Sequence, residues 1–215
     1  MKPKRIILVR HGESEGNIDK SVYEHMPDYT LNLTKKGHQQ AADAGQEIAK
    51  IIGSEKIQAY VSPYYRTRQT FDGIAKAITP NLNEVIEDPR IREQEYGHLR
   101  PLEEGQEIKQ ERRDYGKFYF RIPDGESGAD VFDRISTFLE TLHRAFNRPD
   151  FPPNVLIVTH GMSLRIFLMR WYRMKVETFE DLRNPRNCQI VLMEQTETGQ
   201  YDLVRGLKER DESKS

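Results

Sequence analysis

Two short apolar runs in this chain each end in a histidine followed by a glycine. Ile6-Ile7-Leu8-Val9 leads into Arg10-His11-Gly12, and Val155-Leu156-Ile157-Val158 leads into Thr159-His160-Gly161. Runs of this length and composition read as buried strands, and in open α/β sheets ligands bind beyond the carboxyl ends of the strands. A third strand-like run, Ile57-Gln58-Ala59-Tyr60-Val61, precedes Ser62-Pro63-Tyr64-Tyr65-Arg66-Thr67-Arg68-Gln69-Thr70. If the three strands share one parallel sheet, two histidines and at least two arginines line one pocket. Such a density of positive charge is costly unless an anion enters it.

The bulk properties permit this picture without deciding it. A length of 215 residues suits one substantial α/β domain and is short for two. Charged residues make up 31% and apolar ones 36%, yet the net charge is only -1, which gives no general pull toward nucleic acid or an anionic membrane. A lone cysteine, Cys188, excludes an internal disulfide framework, fits a reducing, cytoplasmic setting and reads as a small core residue. The amino-terminal apolar run, at four residues, is too short for a signal peptide, and nothing approaches a membrane span.

Periodicity predicts alternating strands and helices. Thr34 reads as an N-cap ahead of Gln40, Ala41, Ala44, Ile48, Ile51 and Ile52. Ser62-Pro63 predicts a second helix with proline at its first position, running to about Ala77, and a short strand follows near 84–87. The charged stretch of about 90–121, with Tyr115, Phe118, Tyr119 and Phe120 embedded, predicts helical pieces and loop. Ser127 caps an amphipathic helix carrying Val131, Ile135, Phe138, Leu139 and Leu142. Leu164, Phe167, Leu168, Trp171 and Tyr172 mark one face of the next helix as core. Strands at 189–194 and 201–205 close the fold around a turn at Thr198-Gly199. There is no repeat or linker, so one domain is expected over 1–206, with a lid-like insertion at about 90–126 and a charged tail at 207–215.

Six separated motifs, in order from about residue 5 to residue 195, carry a family resemblance. They are Leu8-Val9-Arg10-His11-Gly12-Glu13-Ser14 with Asn17, Leu33-Thr34-Lys35-Lys36-Gly37 with Gln40-Ala41, Ser62-Pro63 with Arg66-Thr67 and Gln69-Thr70, Ile91-Arg92-Glu93 with Tyr96-Gly97, Gly125-Glu126-Ser127, and Thr159-His160-Gly161. Together they resemble the histidine phosphatase superfamily, in its phosphoglycerate mutase-like branch. The resemblance implies a three-layer α/β/α sandwich around a mostly parallel sheet with an antiparallel edge, and phosphoryl transfer through a phosphohistidine.

On that resemblance His11 is the nucleophile, its other ring nitrogen donating to a backbone carbonyl that fixes the tautomer. Arg10 and Arg66 are forked donors to the phosphoryl group, and His160 is a third, cationic contact. Asn17 and the backbone amides near Gly161 complete the cradle. Glu93 occupies the position that protonates the leaving alcohol and then deprotonates water. Glu95 is its local competitor and reads as a solvated surface carboxylate. Arg68 reads as a surface or supporting residue, Glu13 as structural, and Glu126 stands outside the catalytic set.

His25, His38, His98 and His143 show no metal-ligand spacing, no dinucleotide or P-loop fingerprint is present, and neither metal nor cofactor is expected. The expected activity is hydrolysis of a small phosphorylated metabolite, because Gly125 follows Glu93 by only 32 positions, short for the cap that the resemblance implies in a mutase. Arg112-Arg113 keeps the mutase as an alternative, and an inactive phosphate-binding module is a second. The expected partner is a small phosphorylated substrate, with neither nucleic acid nor membrane, and oligomeric state is open.

Overall fold

A computed structural model describes residues 2–97 and 99–208. Among them, β1 (Arg5–Arg10), β2 (Ile57–Val61), β3 (Leu82–Glu87), β4 (Asn154–Thr159), β5 (Ile190–Gln195) and β6 (Tyr201–Arg205) form one sheet in the order β3-β2-β4-β1-β5-β6. Strands β3, β2, β4 and β1 run parallel, while β5 pairs antiparallel with β1 and β6 with β5. The expected mostly parallel sheet with an antiparallel edge is therefore what the chain builds. The expected tail falls largely outside the described residues.

Successive strand residues point to opposite faces. Ile6, Leu8, Val155 and Ile157 join one core with helices α5 (Gly128–Phe146) and α6 (Gly161–Tyr172), where Phe138 and Phe167 are fully buried. Ile7, Val9, Leu156 and Val158 join a second core on the other face with α2 (Lys35–Ile52) and α3 (Tyr65–Ile78). Each fully buried aliphatic or aromatic side chain contributes about 1.5–3 kcal/mol. Two such faces account for the continuous apolar runs of β1 and β4 and define the α/β/α layering. The chain also forms α1 (Glu15–Ile18), α4 (Leu102–Tyr115) and α7 (Val176–Asp181), the last of which packs on α6.

Local chemistry sets the helix boundaries. The Thr34 hydroxyl accepts from the Gly37 amide to start α2, and Ser127 forms a reciprocal capping box with Asp130 to start α5. The expected start of α3 needs correction. The helix begins at Tyr65 rather than Pro63, because the Ser62 hydroxyl is engaged by His160 Nε2 at 2.7 Å and the Ser62 carbonyl by the Thr67 hydroxyl at 2.8 Å. Helix α6 also departs from a one-sided stripe. Every residue from Gly161 to Met169 is buried, since the sheet, α5 and α7 enclose it.

The loop after β1 lies directly on the first turn of α2. A Cβ at Gly12 would stand 2.6 Å from the Gly37 carbonyl oxygen, and one at Gly37 would collide with the backbone of Glu13. Neither neighbour can yield, because both are main chain. Gly37→Ala is expected to destabilise the protein by about 1–3 kcal/mol, the usual cost of overpacking, read as a lowered midpoint in urea unfolding with an unchanged slope.

Candidate active site

The pairing of β1 with β4 places Arg10 opposite Thr159, so His11 and His160 leave the sheet side by side. The His11 amide donates to the Thr159 carbonyl at 2.9 Å, and the two imidazole centroids stand 5.3 Å apart. Both rings are buried. His11 Nδ1 lies 2.7 Å from the Gly12 carbonyl oxygen, which can only accept, so Nδ1 carries the proton and Nε2 holds a free lone pair. Burial, followed by the charges of Arg66 and Arg10, holds His11 well below the usual imidazole range.

Arg66, in the first turn of α3, is buried to within 3% of its surface. Its Nη1 donates to the Asp28 carbonyl at 2.5 Å and its Nη2 to Asp28 Oδ2 at 2.9 Å, while the guanidinium lies 4.9 Å from the Tyr64 ring centroid. Arg10 donates from Nη1 to the Pro185 carbonyl at 2.6 Å, and its Nε is buried without a hydrogen-bond partner. Asn17 Oδ1 accepts from the Ser14 amide at 3.1 Å and from Asn187 Nδ2 at 2.9 Å, and Asn187 Nδ2 reaches the His11 carbonyl at 3.1 Å. Gly161 opens α6 with the Asn184 side chain against its Cα, where a Cβ would clash. The structure thus brings His11, His160, Arg10, Arg66, Asn17 and Gly161 to one edge of the sheet.

The expected charge of His160 is corrected. Burial, then Arg66 and His11, hold its pKa well below the ordinary value, so the imidazole is neutral near pH 7 rather than cationic. Its Nε2 lies 2.7 Å from the Ser62 hydroxyl, and its Nδ1 is buried with no partner. Orphaned polar atoms on both Arg10 and His160 suit a site whose hydrogen bonds are completed by a ligand.

Glu93 stands at the start of α6, with Oε2 3.4 Å from the Met162 amide and Oε1 3.0 Å from the Gln94 amide. Its segment is pinned from several sides. Arg134 donates to the carbonyls of Arg90, Arg92 and Glu93 at 2.6, 3.0 and 3.0 Å, and Thr159 Oγ1 to the Ile91 carbonyl at 2.6 Å. Glu126 in turn holds Arg134 through two bonds at 2.9 and 3.0 Å, Arg92 at 2.7 Å and the Glu95 amide at 3.0 Å. Glu126 is therefore a scaffold carboxylate, in keeping with its place outside the catalytic set.

Other candidates go elsewhere. Arg68 pairs with Glu87 on the surface, and Glu13 holds Thr34 and Lys36. Arg112 donates to Gln94 at 2.7 Å and lies over the Tyr96 ring, while Arg113 turns to Gln110. His25 and His38 are exposed, His143 stands 5.2 Å from the Trp171 ring, and His98 lies outside the described residues. Cys188 is half-buried in the left-handed region, its thiol pushed up to about 12 by burial, and its amide donates to the Arg10 and His11 carbonyls. Among the described residues no group of three or more His, Cys, Asp or Glu side chains is placed to hold a metal ion. No helix among them is long and apolar enough to cross a membrane. Sequence reasoning missed Asp28, Ser62 and Asn187, whose partners lie 38, 98 and 176 or 170 positions away with no motif to announce them.

A buried imidazole with an unprotonated Nε2, beside a second imidazole, two arginines and a carboxylate at the carboxyl edge of an α/β sheet, suits a protein that handles phosphoryl groups. The chain belongs to the histidine phosphatase superfamily (branch 1), whose family model matches residues 6–205. It is 44% identical to the phosphoglycerate mutase-like protein AT74 of Arabidopsis thaliana, over 94% of this chain and 68% of that protein. It is 29% identical to the broad-range acid phosphatase DET1 of Saccharomyces cerevisiae, over 92% and 87% of the two chains. Its fold is similar to that of a mycobacterial glucosyl-3-phosphoglycerate phosphatase solved with VO3, with a TM-score of 0.72 at 20% identity and coverage of 93% and 96%. Membership of this family and its phosphatase-named relatives make the chain a histidine-dependent phosphatase.

The Glu126 cluster carries a pH signature. Burial works against the Glu126 carboxylate, but Arg134 and Arg92 lower its pKa below the usual 4.5. The stabilisation it provides is therefore complete above that ordinary value and lost as pH falls through the lowered one. Glu126→Gln is expected to cost about 2–4 kcal/mol at pH 7 by leaving Arg134 short of its partner. The difference from wild type in urea unfolding should shrink steadily as the pH is taken below 4.5.

Proposed function

We propose that the chain hydrolyses phosphomonoesters of small metabolites in two displacements through a phosphohistidine at His11. The observation that carries this reading is the bond from His11 Nδ1 to the Gly12 carbonyl, which leaves an unprotonated Nε2 beside two arginines. In the first step Nε2 attacks phosphorus in line, the P–N bond forms, and the ester P–O bond breaks. The departing alkoxide takes a proton from the Glu93 carboxyl group. In the second step water gives a proton to the Glu93 carboxylate and attacks phosphorus. The P–N bond breaks, its electron pair returns to Nε2, and phosphate leaves.

Arg10, Arg66, Asn17, His160 and the amide of Gly161 meet the charge on the transferring oxygens, and such preorganised donors supply most of phosphoryl-transfer catalysis. No step calls on a metal or cofactor. His160, neutral before substrate arrives, acts as a hydrogen-bonding partner of the phosphoryl group and gains a proton more readily once the dianion is present.

The segment 90–126 serves as the lid that selects the substrate, within a single domain spanning 1–206. Hydrolysis is favoured over mutase transfer because Arg112 and Arg113 are not aimed together: one is held by Gln94 and the other by Gln110. A relative named as a broad-range acid phosphatase agrees with hydrolysis of small esters. The lone, half-buried Cys188 suits a cytoplasmic setting.

Two measurements test the mechanism. His11→Ala should abolish both turnover and the acid-labile phosphate that the wild type carries after a rapid quench; retention of either would remove His11 from the covalent step. Glu93→Gln should slow glycerol phosphate hydrolysis by about 10²–10⁴-fold, the usual contribution of a general acid, while nitrophenyl phosphate, whose leaving group needs no proton, loses far less. Equal losses on both would take the acid role from Glu93. Release of phosphate from 3-phosphoglycerate more slowly than its isomerisation would favour the mutase.

A further inference from the structure

Asp28 has no place in the proposed chemistry, yet it holds the buried Arg66 guanidinium through two hydrogen bonds. Its carbonyl and its Oδ2 take both terminal nitrogens of Arg66, at 2.5 and 2.9 Å, and its Oδ1 is buried without a partner. The residue sits on a single 3-10 turn, Asp28–Thr30, closed by Thr30 donating to the Pro27 carbonyl from both its amide and its hydroxyl. That turn is docked on the start of α3 by Tyr29, whose ring meets those of Tyr64 and Tyr65 edge-on at 6.4 Å. The carboxylate is thus held in place against a guanidinium that must also receive a phosphoryl group.

The local charges explain why this matters. Arg66 and Arg10 bear on both imidazoles, Lys20 on His11 and Arg134 on His160, and Asp28 and Glu93 are carboxylates that bear on Arg66 in return. Glu93 has a proton to carry. Asp28 pairs directly with Arg66, the arginine side chain 4% and the aspartate side chain 22% exposed, and its charge also reaches Lys20. A phosphate entering the site therefore shares Arg66 with an anion already bound to it.

We propose that Asp28 is an internal competitor for Arg66 that limits how tightly the site retains inorganic phosphate and so speeds product release. The inference rests on the phosphatase reading for its purpose, though not for its measurement. Binding that is equally strong for substrate, transition state and product slows turnover once release is limiting. A fixed carboxylate within hydrogen-bond reach weakens the resting hold of Arg66 on any dianion.

Asp28→Asn keeps the backbone carbonyl and a side-chain acceptor but removes the charge. Titration calorimetry with inorganic phosphate is expected to show binding tighter by about tenfold or more, as removal of one unit charge a few ångströms away implies. With nitrophenyl phosphate, KM and the inhibition constant for phosphate should fall together, and kcat should fall as release slows. Asp28→Glu, which keeps the charge, should remain within about threefold of wild type in phosphate affinity, less than half a decade of binding.

A role confined to holding the loop predicts the opposite, with weaker phosphate binding and a higher KM in Asp28→Asn. Unchanged or weakened phosphate affinity in that folded variant overturns the proposal. Should Asp28→Asn not fold, Asp28→Ser decides by the same titration. Failure of the wild type to release phosphate from any ester would instead overturn the phosphatase reading, while the phosphate titration still judges Asp28.

Discussion

The parallel pairing of β1 with β4 is the constraint on which the site depends. A slip of one residue would turn each side chain to the opposite face and part the two histidines. The apolar runs do not fix this register alone, because both faces of both strands are buried and no polar alternation distinguishes them. The polar groups at the strand beginnings do. Arg5 lies opposite Asn154 and donates to its side chain at 3.2 Å, Glu55 accepts from both, and Asn154 also donates to the Lys56 carbonyl at 3.1 Å. This clasp joins β1 and β4 to the entry of β2 at the end of the sheet remote from the histidines. Each strand then runs the same distance to the catalytic edge, where the Ser62 amide meets the Val158 carbonyl and the His11 amide meets that of Thr159.

At that edge, burial and charge work in opposite senses on different residues. Arginine retains its proton in any protein environment, so burying Arg10 and Arg66 commits the site to two positive charges. The imidazoles respond instead, and both His11 and His160 stay neutral because burial and the arginines disfavour a further cation. On the proposed mechanism, the same two arginines that would meet the phosphoryl group also keep the His11 imidazole unprotonated. Substituting either would disturb binding and nucleophile together, which is why losses at these positions will not divide cleanly into KM and kcat contributions.

The parts of this arrangement that could be read in the sequence are those encoded locally. The apolar runs of β1, β2 and β4, the caps at Thr34 and Ser127, and the positions of His11, Arg10, Arg66 and His160 at element ends all follow from short-range pattern. The carbonyl partner of His11 is likewise local, since it is the next residue in the chain. What could not be read are contacts whose two halves are remote. Asp28 on Arg66, Asn187 beneath His11 and the Glu126–Arg134 pair behind Glu93 each join ordinary polar residues through the tertiary fold. The start of α3 departs from the local pattern for a related reason: Ser62 is of the type that caps helices, but its hydroxyl answers to a histidine at the end of another strand. The neutral state of His160 belongs here too, because it depends on burial that no local pattern records.

Helix α4 is held on different principles from the strands that carry the two histidines. Helix α4 buries none of its residues and carries mostly charged side chains, so little hydrophobic free energy ties it to the sheet. Its anchors are polar: the Leu102 amide on Glu24 at 2.8 Å, and Arg112 on Gln94 at 2.7 Å. Gln94 is fully buried and donates to the Glu126 carbonyl at 2.7 Å, which links α4 to the scaffold that fixes Glu93. Individual anchors of this kind contribute about 0.5–3 kcal/mol each, far less than the apolar contacts that hold β1 and β4. Helix α4 and the β1–β4 pairing are thus held by contacts of very different strength, so the residues of α4 can change without disturbing the register that aligns His11 with His160.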